Sequence, residues 1–332
     1  MAGMLAATVV RPSPDDPLAG LAVGDRPAPA SRPGWTTVTV RAASLNHHDL
    51  WSLRGVGLPA DRMPMVLGTD AAGVTDDGRE VVVHAVVGGP GARAVPADEP
   101  RSLLSERYDG TLAEQVAVPD ENLVAKPAAL SFAEAACLPT AWLTAYRALF
   151  VAGGATPGTR VLVQGAGGGF ATATVLLGAA AGLDVTVTGR DAGRRDRALA
   201  LGASAAVEPG ARVPRVDLVL ESVGRATWSH SLRSLRPGGT VVVVGLTTGE
   251  PEDPGLTRVF FQDLRVVGST MGTREDLERL LHLCATSGLR APVDSTWALA
   301  DARSALARLA TGDAFGKVVV VSDADEAGPA AG

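Results

Sequence analysis

VLVQGAGGGFATATVLLGAAAGLDVTVTGRDAGRRDRALALG, residues 161–202, is the stretch whose reading decides the fold. A short β-branched run, Val161–Val163, meets a glycine cluster, Gly165–Gly169. A helix of small residues is expected over about 171–181, then Gly182, then a second strand over Val185–Thr188. A β-α-β unit of about 30 residues is the size of one dinucleotide-binding half. Glycine clusters also occur in ordinary turns, so the flanking strand and helix carry the reading. In the pattern G-x-G-x-x-G/A the loop is Ala166, Gly167, Gly168, Gly169, Phe170, Ala171. Gly168 lets backbone approach a pyrophosphate, Ala171 lets helix pack on strand, and the helix N-terminus offers N–H groups to the phosphates. The alternative is a plain packing turn.

The tip of the second strand selects the dinucleotide. An acid there accepts from a ribose 2′-hydroxyl and repels a 2′-phosphate. Here the tip is Gly189 followed by Arg190, with Arg194 one turn on. Two guanidinium forks without a competing acid at the tip favour NADP(H) over NAD(H). The alternative is a solvated helix start.

Outward from this unit, residues 1 to about 125 read as all-β. Trp35–Ala42, Val81–Val87 and Leu112–Val118 are strand candidates separated by Pro, Gly and Asp turns, and MAGMLAATVV reads as a first strand. Residues 88–100 read as a long loop and 323–332 as a frayed tail. From Leu130 the period changes. Ser131 and Glu134 form a capping box, and the apolar run to Phe150 reads as helix, kinked or divided at Pro139. Strand candidates Asp217–Leu220, Thr240–Val244 and Arg265–Val267 then alternate with helices over Trp228–Leu235 and Arg274–Ala285. A helix near 299–309 and a strand Gly316–Val321 close the chain. The class is α/β: a doubly wound parallel sheet beside a β-rich half.

With 332 residues there is room for two domains. A hydrophobic content of 46% against 20% charged fits a packed core. Net charge is −6 with no basic face, which argues against a nucleic-acid partner. No signal sequence or apolar run of about 18 residues is present, so a cytoplasmic chain without a membrane span is expected. Cys137 and Cys284 are far apart and no C-x-x-C occurs, which excludes a cysteine-rich zinc site and a disulfide framework.

The order of parts resembles the medium-chain dehydrogenase/reductase superfamily over nearly the whole chain. The matching segments are LNHHDLW (45–51), LGTDAAG (67–73), DGTLAEQVAVP (109–119), LPTAWLTAY (138–146), the glycine loop, LRPGGT (235–240) and GKVV (316–319). The resemblance implies a GroES-like catalytic domain over 1–140, a Rossmann domain over 141–270 and a return segment over 271–332. It also implies an active site in the cleft and homodimers or tetramers built on sheet edges, a homodimer being expected here. Thr140, Val223, Gly245, Leu246, Thr270, Met271 and Gly272 carry over as cofactor contacts. Lys317, on the returning strand, is either a nicotinamide neighbour or a solvated strand charge.

Where the chain departs from the family, its chemistry changes. The catalytic zinc positions of the zinc alcohol dehydrogenases fall on Asn46, Thr69 with Asp70, and about Thr140. Only Asp70 is a good zinc ligand, and the four-cysteine lobe is missing. No metal is expected. His47 and His48, read as adjacent residues of an extended segment, point to opposite faces and cannot share an ion. The pattern then resembles the zinc-free branch of NADPH:quinone oxidoreductases, which reduce quinones, enones or related activated small molecules by hydride transfer. Asn46 is the first candidate hydrogen-bond donor, with His47 and Thr69 as relay or donor. Asp49 reads as structural, and Tyr108 as a lid residue or a rim aromatic. The competing readings are a non-catalytic NADPH-binding protein of the same fold and a zinc alcohol dehydrogenase with unusual ligands.

Overall fold

The computed structural model describes residues 3–89, 95 and 99–322. The expected tail at 323–332 and most of the loop expected at 88–100 lie outside the described residues. The chain divides into two compact units, residues 1–140 with 273–332, and residues 141–272.

The second unit holds a six-stranded parallel sheet. Its strands are Arg160–Val163, Asp184–Thr188, Ala205–Val207, Val216–Glu221, Leu235–Val243 and Arg265–Gly268. Numbered along the chain they lie in the order 3-2-1-4-5-6, every neighbouring pair parallel. That is the doubly wound order with its switch point between the first and fourth strands. The central strands are buried along both faces, which is why their sequences are dominated by Val and Leu. The helix Gly169–Ala180 starts directly on the glycine loop with Gly168 as N-cap. Its small residues permit close packing on the sheet: a Cβ at Gly178 would meet Val185 Cγ2 at 2.5 Å.

The first unit is built on a seven-stranded sheet. Leu123–Ala125, Glu80–Val83, Asp70–Thr75, Trp35–Ser44, Lys317–Val321 and Val293–Ala298 follow one another, and Gln115–Pro119 pairs with the start of Trp35–Ser44. A three-stranded sheet of Leu21–Pro27, Gly3–Val9 and Met65–Val66 joins it in one apolar core with the helix Ala302–Ala310. The last strand, Lys317–Val321, is buried at all five positions. It pairs with Trp35–Ser44 on one side and Val293–Ala298 on the other.

Several expectations need correction. His47 and His48 are not extended; they open a helix, His47–Leu53, because Asn46 and Asp49 form a capping box at its start. The run Val81–Val87 divides into Glu80–Val83 and Val86–Val87. The capping box at Ser131 and Glu134 is present, but the helix it opens is not simply kinked. Pro139 sits in a π-helical stretch, Leu138–Trp142, whose wider turn absorbs the missing N–H. Among the described residues no helix is long and apolar enough to cross a membrane.

Candidate functional site

Two polar constellations stand out, one in each unit. In the first unit the helix His47–Leu53, the turn Leu67–Asp70 and the strand Lys317–Val321 converge. Asp49 ties the first two together: buried, it accepts from Asn46 N at 2.8 Å and Gly68 N at 3.0 Å, and burial raises its carboxyl above the ordinary range. Gly68 is required there. Its φ is +100°, and a Cβ would stand 2.5 Å from Thr111 Oγ1.

Asp70 lies at the centre, with no solvent exposure. Its Oδ2 accepts from Ser44 Oγ at 2.9 Å, Asn46 Nδ2 at 2.9 Å and Lys317 Nζ at 3.3 Å. Its Oδ1 accepts from Thr140 Oγ1, which also lies 3.0 Å from Thr69 Oγ1. The Lys317 ammonium, on a side chain 2% exposed, donates to Leu45 O at 2.8 Å and Asn46 Oδ1 at 2.5 Å as well. Its three N–H groups thus have three protein acceptors. Lys317 is neither a solvated strand charge nor, in this arrangement, a free donor for nicotinamide. Its charge holds the buried Asp70.

The amide of Asn46 is fixed by the same contacts. With Oδ1 on the ammonium, Nδ2 turns to Asp70 and to Thr69 Oγ1 at 3.1 Å. Both amide hydrogens, expected to serve a substrate carbonyl or the nicotinamide ribose, are engaged within the protein in this arrangement. Thr69 is fully buried. His47 differs: its residue is exposed. Its pKa is lowered by partial loss of hydration among the surrounding protein and then by the positive charges of Lys317 and Arg54. The nearby His48 pairs instead with Glu106 at 3.2 Å.

These are the positions at which the resemblance to zinc alcohol dehydrogenases would place a zinc ion. Here the donor set does not fit one. Asn46, Thr69 and Thr140 offer an amide and two hydroxyls, the only carboxylate is saturated with donors, and an ammonium already lies among them. Among the described residues no group of three or more His, Cys, Asp or Glu side chains could hold a metal ion.

Tyr108 donates its hydroxyl to Glu99 at 2.6 Å, and its pKa is pushed up to about 12 by burial and that contact. With its ring against Trp35 and Arg32, it is a packed rim aromatic.

In the second unit the remaining candidate residues gather at one edge of the parallel sheet. The glycine loop, Gly189 with Arg190, Val223, Gly245 with Leu246, and Thr270 with Met271 and Gly272 each follow the carboxyl end of a strand. Ligands of such sheets bind outside those ends. A Cβ added at Gly168 meets nothing within 4 Å, which leaves open space before the helix N-terminus. At the tip, Arg190 is exposed. Asp191 caps the next helix by accepting from Arg194 N at 2.8 Å, so its carboxylate is turned to that backbone. Arg195, one of the basic residues that follow the tip, donates to Gly189 O at 2.7 Å and Arg190 O at 3.1 Å and so braces it. Thr140 and Lys317, also expected as cofactor contacts, belong to the first unit.

Comparison with known proteins finds matches in both parts of the chain. The family model described as the alcohol dehydrogenase GroES-like domain matches residues 32–128, and the one described as zinc-binding dehydrogenase matches residues 166–320. A zinc-type alcohol dehydrogenase-like protein of Schizosaccharomyces pombe is 30% identical over 255 residues, covering 70% of this chain and 73% of that protein. Acryloyl-coenzyme A reductase of Sulfurisphaera tokodaii is 26% identical over 315 residues, covering 88% and 94%. A crystal structure of an NAD-dependent alcohol dehydrogenase superposes with a TM-score of 0.88 at 28% identity, covering 96% of this chain and all of that one, 100%. With its sheet order, its two-part architecture and these matches, the chain belongs to the medium-chain dehydrogenase/reductase superfamily of oxidoreductases.

Proposed function

We propose that this oxidoreductase is zinc-independent and uses NADPH to deliver hydride to an activated alkene, enone or quinone. The observation that carries the reading is the Asp70 cluster. Where the family's zinc would sit, this chain has an amide, hydroxyls and a buried ammonium, all bonded to one another. A simple ketone concentrates the developing charge on one oxygen, which a Lewis acid such as zinc can stabilise. A conjugated acceptor spreads that charge, and modest hydrogen-bond donors suffice. The similarity to an acryloyl-coenzyme A reductase supports the alkene side of the reading.

NADPH supplies the hydride when bound. The glycine loop would hold its pyrophosphate, Arg190 with Arg194 its 2′-phosphate, and Val223, Gly245, Leu246, Thr270, Met271 and Gly272 the rest of its length. His47 has the exposure to exchange a proton with substrate or solvent, and its lowered pKa keeps the imidazole neutral near pH 7. Asn46, Thr69, Thr140 and Lys317 position the segment that carries it. A homodimer is supported by the outermost strand Arg265–Gly268 and its neighbouring helix, where Val266, Phe260 and Phe261 are 48%, 63% and 70% exposed.

A non-catalytic NADPH-binding protein has one observation in its favour: the amide of Asn46 and the hydroxyl of Thr69 are already engaged internally. Turnover separates the readings. Chelator-treated protein is mixed with NADPH and a panel of quinones, enones and enoyl thioesters, and NADPH absorbance is followed. Oxidation of NADPH with at least one acceptor is expected. Tight NADPH binding without turnover, or activity lost on chelation and restored by zinc, would overturn the proposal.

A further inference from the structure

The second unit contains a buried carboxylate that no part of the proposed chemistry uses. Glu221 ends the fourth parallel strand at the switch point and has no solvent exposure. Its Oε1 accepts from Val223 N at 2.7 Å, Gly224 N at 3.0 Å and Thr227 Oγ1 at 2.8 Å. Its Oε2 takes Ser231 Oγ at 2.5 Å. Every one of these partners is a neutral donor.

The directions of the next bonds follow. Ser231 gives its only hydrogen to Glu221, so its oxygen must accept from Gln164 Nε2 at 2.9 Å. The same amide group faces His230 Nδ1 at 3.0 Å, which must then be bare, and His230 Nε2 carries its hydrogen towards Ala211 O at 2.9 Å. Gln164 Oε1 accepts from Thr188 Oγ1 at 2.9 Å. Thr188 in turn accepts from Gly165 N at 3.2 Å. All hydrogens on this path point one way, from the first N–H of the glycine loop to the carboxylate. A consistent set exists with Glu221 ionised and His230 a neutral Nε2–H tautomer.

We propose that Glu221, through Ser231 and Gln164, is a positioning residue that sets the glycine loop for its dinucleotide; this rests on the cofactor reading above. The path joins the ends of the first, second and fourth strands, so it ties the loop on one side of the switch point to the Val223–Gly224 turn on the other. Its order depends on the anion. In Glu221→Gln, an amide hydrogen facing Ser231 makes that hydroxyl an acceptor. Gln164 must then turn its oxygen to Ser231 and His230, the proton of His230 moves to Nδ1, and Thr188 is left with two donors facing its oxygen.

Nitrogen-15 NMR of the histidine rings, with the His230 signals assigned by their loss in His230→Gln, reads this directly. The unsubstituted protein is expected to show His230 as the neutral Nε2–H tautomer at neutral pH. Glu221→Gln is expected to shift it to Nδ1–H and to weaken NADPH binding about tenfold, with kcat at saturating cofactor within about twofold. Thr227→Val, which removes a donor to Glu221 outside the path, should leave the tautomer unchanged. Ser231→Ala cuts the path with the carboxylate in place and should weaken binding in the same direction. An Nδ1–H or doubly protonated His230 in the unsubstituted protein overturns the proposal whether or not any variant folds. So does unchanged cofactor affinity in both Glu221→Gln and Ser231→Ala. If no nicotinamide dinucleotide binds the unsubstituted protein, the cofactor reading fails separately, and with it the role assigned to Glu221, while the tautomer still tests the path itself.

Discussion

Replacing Lys317 by Met removes one charge and little volume, and its cost can be worked from the Asp70 cluster. The ammonium and the carboxylate are 2% and 0% exposed, so water cannot replace the lost partner. Removing one member of a buried ion pair costs about 3–5 kcal/mol, because the other charge stays buried. Asp70 would keep its bonds from Ser44, Asn46 and Thr140, which offset part of that loss. Leu45 O and Asn46 Oδ1 would each lose a donor. About 3 kcal/mol is therefore expected for Lys317→Met, more than a hundredfold in the folded-to-unfolded ratio. Asp70→Asn in the same background should recover part of it, since a carboxamide needs no counter-charge although its NH2 must face a group from which Asp70 accepts. Urea unfolding at pH 7, followed by tryptophan fluorescence and by circular dichroism, measures both. A loss under about 1 kcal/mol, or no recovery in the double variant, would refute the assignment of Lys317 as the counter-ion.

Three further outcomes are expected. Arg190→Ala should weaken NADPH roughly tenfold and NADH less than twofold, as a titration of both nucleotides will show; equal effects would remove the 2′-phosphate argument. The pKa of His47 is lowered below its ordinary 6.5, so its neutral form persists into mildly acid solution. Any stability it contributes is therefore fully present above that ordinary value and is lost as pH falls through the lower folded-state pKa. The acid limb of the pH–rate profile should lie below pH 6.5 and disappear in His47→Gln. Val266→Lys on the outermost strand, or Phe261→Glu on the neighbouring helix, should shift the protein to monomer in light scattering at unchanged secondary structure.

The nucleotide-binding half was legible because buried parallel strands advertise themselves. Val161–Val163 and Val185–Thr188 carry aliphatic or β-branched residues on both faces, and the glycines between them fit a phosphate-facing turn. Boundaries followed the sequence to within a few residues, as with the helix expected from 171 and found from Gly169. The start of the His47 helix was misread although its signal was present: Asn46 with Asp49 three residues later is a capping pair. Lys317 was harder. In Lys317–Val321 the neighbours gave a buried strand, but nothing local could say that Lys317 would meet a carboxylate 247 residues away. The Glu221 path was equally hidden. Gln164, Thr188, Glu221, His230 and Ser231 look like unremarkable strand ends and helix polars until the sheet brings them side by side.

The tip of the second strand also limits how this chain can change. A side chain at Gly189 would place its Cβ 2.8 Å from Ala166 Cβ and 3.2 Å from Arg195 Cγ. An acid installed there to read a ribose hydroxyl would therefore have to push Ala166, and the loop that carries it, aside. An Ala166→Gly change made first would open that space, and made alone it would loosen the loop. The order of substitutions, rather than the chemistry of any one of them, governs the path from one dinucleotide to the other.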